Sequence, residues 1–385
     1  MENRPLILFD TDMDTDVDDA GALAILLSYV KQGRASLLGV VADSPSPYAA
    51  AAVEALCRHY GVQCPIGALQ AADYADDSAR FTRYHDRHRL LAESRDYTRV
   101  LAAGVGRRAQ DYPTAVATYR RLLAGAAPRS VTLVCVGLLS ALDALLRSGP
   151  DEVSPLDGVA LVAEKVQRVV SMTVAPYPMV EADNFNYDID PVGSEAALAA
   201  CPVPVYASPD GDDVITGGTL TDALPAGHPL RVAYEMYNEG ERKGRSSWDL
   251  VALYYALEGA SPCFTVTPRG RLAYRAEARQ TYWQLPAGGE GAEGNEGAGD
   301  FLKKVPRTPQ KLLEMDEKAG GAVVSDYQNA DNGEEIRDFA LSAAQGEEEL
   351  PNTTSGADRM DYEVRLAVSE AEMAARLERL LVEAG

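Results

Sequence analysis

The sequence predicts an α/β fold in which a mostly parallel central sheet carries helices on both faces. Short apolar runs alternate with helical patterns through the front half of the 385-residue chain, as consecutive strand and helix units do. The predicted strands are rich in valine and leucine without polar alternation, which is typical of strands buried on both faces. The first of them ends at an acidic turn that leads directly into a helix. These patterns favour a Rossmann-like core, whose ligands bind at the carboxyl ends of the strands.

Each element is predicted from its apolar pattern and from the residues at its ends. The strands are predicted over residues 6–9, 37–42, 65–67, 131–136, 169–174 and 203–206. The first helix follows the acidic turn with Asp18 or Asp19 as its cap, and Gly33 follows its end. The second helix has Pro47 near its first turn and Gly61 at its end. Further helices are predicted over residues 114–124, 140–146, 248–257 and 369–382.

Two stretches lack regular patterns. Residues 71–104 are polar, and we predict a long loop or lid beside the sheet. Residues 284–355 begin in a Gly/Glu-rich run and are predicted to be a divergent, partly disordered insertion before the C-terminal helix. The hydrophobic content of 46% is enough for a large core, so residues 1–385 are interpreted as one domain that carries this insertion.

Composition excludes several classes of partner. The formal net charge of −22 argues against nucleic acid and anionic membranes. The N-terminus has no basic region followed by an apolar core, and no apolar stretch approaches the roughly 18 residues that span a bilayer. Five cysteines without a C-x-x-C pair suit reduced, buried thiols. We therefore expect a soluble, cytoplasmic protein.

Six carboxylates lie in the turn after the first strand. They are Asp10, Asp12, Asp14, Asp16, Asp18 and Asp19. So many like charges at one turn repel one another, so either some are protonated or a multivalent cation neutralises them. Hard oxygen ligands favour Ca²⁺ or Mg²⁺ over zinc. The turn therefore predicts a cation site.

Two interpretations of the turn fit poorly. An EF-hand loop that starts at Asp10 needs glycine at position 15 and glutamate at position 21, where the chain has Thr15 and Gly21. An Asp-nucleophile phosphohydrolase of the haloacid-dehalogenase type also opens with a strand and Asp-x-Asp, which would make Asp10 the nucleophile and Asp12 the acid and base. The glycine-threonine continuation of that motif is missing here.

A third interpretation rests on four separated motifs. Asp-Thr-Asp at 10–12 precedes Asp-Asp-Ala at 18–20; VTLVCVGLLSALDALL, NFNYDIDP and SSWDLVALYYAL follow in that order. In this the chain resembles the inosine/uridine-preferring nucleoside hydrolase family over residues 5–265. The resemblance implies hydrolysis of the N-glycosidic bond of a nucleoside or related N-riboside to base and ribose. It also implies a role in nucleoside metabolism, Ca²⁺ as cofactor, and a homodimer or homotetramer.

The resemblance also implies a metal site and a catalytic residue. The side chains of Asp12, Asp19 and Asp249 and the backbone carbonyl of Val136 would hold the Ca²⁺ ion. Asp12 would in addition take the proton of the attacking water, and Asp18 would bind ribose hydroxyls. This division is chemically reasonable, because a cation lowers the pKa of water until a carboxylate can accept its proton near neutrality.

Further substrate contacts are implied for Asn184, Asn186 and Trp248. The family's sugar-binding triplet begins with glutamate, where this chain has Asn184, which carries no charge. A histidine that assists the departing base in many members is replaced by Trp248, whose ring can stack on a base or anchor the core. These departures motivate a second hypothesis, a ribose-binding or nucleoside-binding pseudoenzyme with altered or lost catalysis. A third keeps hydrolysis but on a different N-glycoside.

The remaining positions are interpreted from their place in the chain. Asp43 ends the second strand and is either a ribose contact or a helix cap. Asp10 would support a metal ligand or the turn, and the roles of the carboxylates at 14 and 16 are left open. His85 and His88, in the polar stretch, are candidates for protonating the leaving group or for a lid, since histidine titrates near neutrality.

Overall fold

The computed structural model describes residues 4–14, 16–74, 78–81, 84–85, 95–173, 185–284 and 359–385. Its strands are β1 (Leu6–Thr11), β2 (Ser36–Ala42), β3 (Ile66–Ala68), β4 (Val131–Cys135), β5 (Val166–Met172), β6 (Val205–Ser208), β7 (Ile215–Thr216), β8 (Arg245–Ser246), β9 (Phe264–Arg275), β10 (Gln280–Gln284) and β11 (Asp361–Leu366). Nine of them form one sheet in the order β10-β9-β11-β6-β5-β4-β1-β2-β3, and β7 pairs with β8.

The helices of the described residues cover both faces of this sheet. They are α1 (Asp18–Lys31), α2 (Ala49–Tyr60), α3 (Tyr97–Ala103), α4 (Ala115–Gly125), α5 (Ser140–Arg147), α6 (Gly158–Lys165), α7 (Phe185–Ile189), α8 (Pro191–Ala200), α9 (Leu220–Ala223), α10 (Pro229–Tyr237), α11 (Trp248–Glu258) and α12 (Glu370–Ala384). Because side chains alternate along a strand, Ile7 of β1 packs into one buried cluster while the adjacent Leu8 packs into the other. The predicted fold class is confirmed.

The sheet is parallel from β3 through β1, β4, β5 and β6 to β11, and antiparallel where β9 joins β11 and β10. Strand β1 lies between β2 and β4, so the chain builds the sheet outward from β1 in both directions. Such a reversal of strand order opens a crevice at the carboxyl ends of the two neighbouring strands. The acidic turn after β1 lies at this reversal.

Three features of the structure differ from the sequence predictions. Helix α1 has Val17 at its N-cap position with no side-chain cap, so the predicted cap at Asp18 or Asp19 is wrong; both lie in the first turn. The stretch 71–104 is more than a loop, because its described part contains α3 and two short 3₁₀ helices at Ala71–Tyr74 and Ser78–Phe81. The antiparallel edge formed by β9, β10 and β11 was not predicted.

The predicted insertion, residues 284–355, lies outside the described residues apart from Gln284, the last residue of β10. Among the described helices, none has the length and apolar character needed to cross a membrane.

Two histidines meet where α2 packs beside α10. The His228 ring lies edge-on to His59 with centroids 4.3 Å apart, and its Nδ1 accepts a hydrogen bond from the Leu230 amide at 3.3 Å. The Nε2 of His228 is buried and has no partner among the described residues. Burial and then the charge of His59 lower the pKa of His228 to about 4, while burial and Lys31 lower the pKa of His59.

This pair predicts a loss of stability in acid. Because the folded state lowers the pKa of His228 from 6.5, the stabilising effect of the neutral ring is present above pH 6.5 and is lost as the pH falls towards about 4. We expect His228→Asn, which retains a good N-cap residue, to show a smaller decrease in unfolding midpoint over this range than the parent protein. Thermal unfolding followed by circular dichroism at a series of pH values measures both slopes; equal slopes would contradict the prediction.

Candidate metal centre

Three buried carboxylates converge from two helix N-termini. Ligand-capable oxygens of Asp18 and Asp19, in the first turn of α1, and of Asp249, in the first turn of α11, all lie within 4.8 Å of one another. The Asp18 carboxylate accepts a hydrogen bond from the Asp249 amide at 3.0 Å, so a side chain of α1 caps α11. The Thr11 hydroxyl donates to Asp19. These contacts hold the N-termini of both helices next to the same cluster of carboxylates.

Asp12 adjoins the end of β4, and Gly137 is the residue that permits this approach. A Cβ atom on Gly137 would lie 2.7 Å from the Thr11 carbonyl carbon and closer still to the Asp12 backbone nitrogen. Asp12 itself is 1% exposed. The charge of Asp12 is among the causes that raise the pKa of Asp18, Asp19 and Asp249. Asp12 therefore belongs electrostatically to the same cluster.

The Val136 carbonyl lies at the same edge of the sheet. The Val136 amide donates to the Asp10 carbonyl at 2.9 Å, which extends the pairing of β4 with β1 by one residue. Its own carbonyl oxygen accepts a hydrogen bond from Asn186 Nδ2 at 2.6 Å. Since a carbonyl oxygen has two lone pairs, this bond leaves one for a further ligand. Asn186 and Val136, predicted from motifs 50 residues apart, thus meet at the centre.

The cluster is electrostatically unfavourable when its members are ionised. Burial is the largest cause that raises the pKa of Asp18, Asp19 and Asp249, and the charges of neighbouring carboxylates raise it further. At Asp18 these charges are those of Asp16 and Asp12, and the Asp249 amide and Arg245 oppose them. Isolated ionised carboxylates in a protein interior are costly unless they are paired or bind a metal. Oxygen-only donors of this kind match the ligands that Ca²⁺ and Mg²⁺ accept. The residues present therefore fit a hard divalent cation.

Two further carboxylates, those of Asp10 and Asp43, accept hydrogen bonds from helices α4 and α5. Tyr119 of α4 donates its hydroxyl to Asp10, and the Ala141 amide in α5 donates to Asp43 Oδ2 at 3.0 Å. Asp43 therefore caps a helix, but one that lies 98 residues away. The other oxygen of each carboxylate is buried without a partner among the described residues. Burial is the main reason that the pKa values of Asp10 and Asp43 are raised.

Asp14 lies in a strained part of the turn. Its φ of 138° falls in a region that residues other than glycine rarely adopt. The buried Tyr84 hydroxyl donates to Asp14 Oδ2 at 2.8 Å. The exposed His85 ring lies edge-on to Tyr84, with centroids 5.4 Å apart. The structure thus places this candidate histidine beside a tyrosine that holds the turn.

Asp16 is held by an arginine from β8. Arg245 donates to Asp16 through Nε at 3.0 Å and through Nη2 at 2.5 Å. Its guanidinium also lies 5.2 Å from the ring centroid of Trp248. Burial acts to lower the pKa of Arg245, but the hydrogen bonds and charge of Asp16 outweigh it and raise the pKa. The half-buried Trp248 donates its indole N–H to Asp212 at 3.1 Å.

The structure brings most of the predicted site residues together at one edge of the sheet. These are Asp10, Asp12, Asp18, Asp19, Asp43, Val136, Asn186, Trp248 and Asp249. His85 lies on the surface beside Tyr84, whereas Asn184 and His88 fall outside the described residues.

Three supporting residues were missed by the sequence analysis: Tyr84, Tyr119 and Arg245. Their contacts to the acidic turn span 70, 109 and 229 residues of chain. The two tyrosines are among 19 in the sequence and carry no motif. Arg245 had a weak signal, since it lies in a basic segment four residues before Asp249.

The sequence matches no protein-family model, and no curated protein has significant similarity to it. The fold, however, resembles solved structures. A plant nucleoside hydrolase aligns over 98% of this chain and 99% of its own, with a TM-score of 0.55 and 13% identity. The inosine-uridine preferring nucleoside hydrolase of Bacillus anthracis aligns over the same shares, with a TM-score of 0.50 and 13% identity.

A third similar structure is the type III effector protein XopQ, solved as a complex with adenosine diphosphate ribose. It aligns over 69% of this chain and 86% of its own, with a TM-score of 0.52 and 16% identity. At such identities, the three likenesses establish a nucleoside hydrolase-like fold and assign no activity to this chain.

Proposed function

We propose that this protein is a Ca²⁺-dependent hydrolase that cleaves the N-glycosidic bond of a nucleoside or related N-riboside. The observation that carries the proposal is the convergence of Asp18, Asp19 and Asp249 on one buried point. That point lies at the reversal of strand order, where α/β sheets bind their ligands. The fold that surrounds it is one that nucleoside hydrolases share.

The proposed metal ligands are Asp12, Asp19, Asp249 and the Val136 carbonyl. Asp19 and Asp249 of this set also belong to the three buried carboxylates that lie close together in the structure. The third of these, Asp18, is assigned to ribose hydroxyls beside the ion. When bound, Ca²⁺ would act as a Lewis acid that lowers the pKa of a water ligand. Four ligands from three separated parts of the chain would then share one ion.

Asp12 is the proposed general base. Asp12 removes a proton from the attacking water while the water oxygen bonds to the anomeric carbon of the ribose. The nucleobase leaves with the electrons of the broken C–N bond. The sugar gains positive charge on the way, and the surrounding carboxylates stabilise it electrostatically. Asn186, Asn184 and Asp43 are proposed to contact the sugar. Asp10 supports the turn through its bond to Tyr119.

The departing nucleobase is proposed to contact Trp248. The Trp248 indole is held at the start of α11 by its hydrogen bond to Asp212, and we assign its ring to stacking on the base. Tryptophan is not a proton donor at neutral pH, so the leaving group would need its proton from solvent or from a histidine such as His85 or His88. A base that leaves readily without protonation would suit this site best.

A release assay tests the hydrolase directly. Purified protein with added CaCl₂ is incubated with a panel of purine and pyrimidine nucleosides, and base and ribose are separated by chromatography. We expect release of free base from at least one nucleoside, and loss of that release when a chelator is added. If no nucleoside or related riboside is cleaved with calcium present, the hydrolase proposal fails.

A second candidate is a protein that binds a riboside without cleaving it. It is favoured by Trp248, whose indole N–H is committed to Asp212 and which stands where a proton donor would help a base to leave. The similar effector structure that contains adenosine diphosphate ribose is consistent with such a ligand. A thermal shift with ribose, nucleosides or adenosine diphosphate ribose, but no release of base, would favour binding over hydrolysis.

Calcium is expected to raise the unfolding midpoint. An ion that binds only the folded state stabilises it by about 2.7 kcal/mol at a hundredfold excess over its Kd. Excess chelator should reverse the shift. Asp249→Asn should lose the shift, and Glu152→Gln, which changes an exposed carboxylate, should retain it. An equal shift in Asp249→Asn and the parent protein would contradict the proposed ligand set.

Arg245 and Asp16 are expected to be energetically coupled. Arg245→Met removes the ion-pair partner of Asp16, whose charge acts on Asp18, and should lower the free energy of unfolding by about 1.5–3 kcal/mol, the range for hydrogen bonds to charged groups. The double variant with Asp16→Asn should recover part of this loss. Urea unfolding of the parent, both single variants and the double variant gives the coupling energy; a coupling near zero would show that the ion pair is unimportant.

A further inference from the structure

Two of the five cysteines lie side by side where α2 ends and the chain turns towards β3. Cys57 is in the last turn of α2 and Cys64 lies two residues before β3, and their Sγ atoms are 3.8 Å apart. Cys57 is 3% exposed, whereas Cys64 is partly exposed. Cys64 is therefore partly accessible to solvent, whereas Cys57 is buried.

The turn between them holds the two sulfurs together. Gly61 ends α2 with a φ of 68°, the left-handed conformation that glycine adopts without strain. Its amide donates to the Arg58 carbonyl at 3.1 Å, and the Val62 amide donates to the Cys57 carbonyl at 3.0 Å. This capping motif reverses the chain direction. Cys64 is thereby returned to the side of the helix that carries Cys57.

The pKa values of the two thiols are shifted in opposite directions. The hydrogen bond between the sulfurs, followed by burial and the neighbouring charges of Cys64 and Glu54, raises the pKa of Cys57. The same hydrogen bond lowers the pKa of Cys64, although burial opposes this effect. A thiolate is therefore favoured at the more exposed sulfur, and a protonated thiol at the buried one. Thiolate character and exposure are the two properties that make a cysteine susceptible to oxidation.

We propose that Cys57 and Cys64 are a redox pair that a peroxide converts into a reversible disulfide. The Cys64 thiolate attacks one oxygen of hydrogen peroxide, the O–O bond breaks, and water forms with one proton from the medium. Cys57 then loses its proton, its sulfur attacks the Cys64 sulfenic acid, and the S–O bond breaks with release of a second water. Two thiols and one peroxide give one disulfide and two waters; a small thiol restores the reduced form by exchange.

The other three cysteines differ from this pair in ways that matter for oxidation. Cys135, Cys201 and Cys263 are all buried. Burial raises the pKa of the thiols of Cys135 and Cys201. The Cys201 thiol also donates to the Val203 carbonyl at 3.5 Å. The sequence alone predicted five equivalent buried thiols, and the geometry separates out one pair.

The test treats the fully reduced parent protein with hydrogen peroxide under native conditions and then alkylates the remaining thiols. We expect the thiol count to fall from five to three, the mass of two hydrogen atoms to be lost, and one cross-linked peptide pair to contain Cys57 and Cys64. A reducing thiol should restore all five. Disulfides between other cysteines, oxidation of Cys64 to a sulfinic acid with Cys57 untouched, or no reaction at either thiol would overturn the proposal.

Single variants test which cysteine attacks first. In Cys57→Ser, a sulfenic acid on Cys64 should be trapped by dimedone with no disulfide formed. In Cys64→Ser, Cys57 should stay unlabelled. Cys201→Ser is the matched control and should form the disulfide at the parent rate. Labelling of Cys57 in Cys64→Ser would reverse the proposed roles, and the result from the parent protein stands even if a variant fails to fold.

Discussion

Replacing Asp12 with asparagine is expected to lower kcat for base release by about 10²–10⁴-fold, the contribution of a general acid or base. Asparagine has nearly the same shape but cannot accept the proton of the attacking water. Asp12 is 1% exposed, and its negative charge raises the pKa of the neighbouring Asp19. Removing one negative charge therefore relieves repulsion, so the unfolding midpoint without calcium should not fall.

Glu152→Gln is the matched control for Asp12→Asn, because it replaces a carboxylate with an amide at an exposed position between α5 and α6. Its kcat and unfolding midpoint should equal those of the parent. Steady-state kinetics at saturating nucleoside and calcium, with circular dichroism of each variant, measure the effect. Parent-like turnover by Asp12→Asn would remove Asp12 from the mechanism, and unfolding of that variant would assign it a structural role.

Replacing Gly137 with alanine is expected to damage both the fold and the metal centre. The added Cβ would lie 2.7 Å from the Thr11 carbonyl carbon, a distance at which backbone has to move. Overpacking of this kind costs about 1–3 kcal/mol in unfolding free energy and sometimes more. The displaced segment carries Val136 and Asp12, so calcium should bind more weakly as well.

Gly125→Ala is the matched control for Gly137→Ala. Gly125 ends α4, and a Cβ there has no neighbour within 4 Å. Its substitution should be neutral or slightly stabilising, because alanine loses less backbone entropy on folding. Urea unfolding and calcium titration of both variants give the two effects. Parent-like stability and calcium affinity of Gly137→Ala would show that β4 and the acidic turn do not need this close approach.

Much of the α/β core could be predicted because its strands are short apolar runs bounded by turn residues. The prediction at 37–42 differs from β2 by one residue, and the prediction at 248–257 differs from α11 by one. The clustering of the candidate site residues was predictable in outline for a related reason. Asp12, Val136 and Asp249 each follow or open a regular element, and the carboxyl ends of parallel strands meet at one edge.

What the sequence could not supply is pairing between distant residues. No local pattern links Arg245 to Asp16 or Tyr119 to Asp10, because each contact depends on how separate strands and helices pack. The cap on α5 shows the same limit, since its acceptor is Asp43 at the end of β2. Likewise, β11 pairs with both β9 and β6, which precede it by about a hundred residues or more, so its place in the sheet has no local signal.

The central claim is that one calcium ion is bound by ligands from separate parts of the chain. A crystal structure of the protein grown with CaCl₂ and ribose, with the ion located by anomalous scattering, tests it most directly. The account predicts one ion in direct contact with Asp12, Asp19, Asp249 and the Val136 carbonyl, and ribose hydroxyls between that ion and Asp18. An ion bound elsewhere, or an ordered acidic cluster without an ion at saturating calcium, would contradict the account.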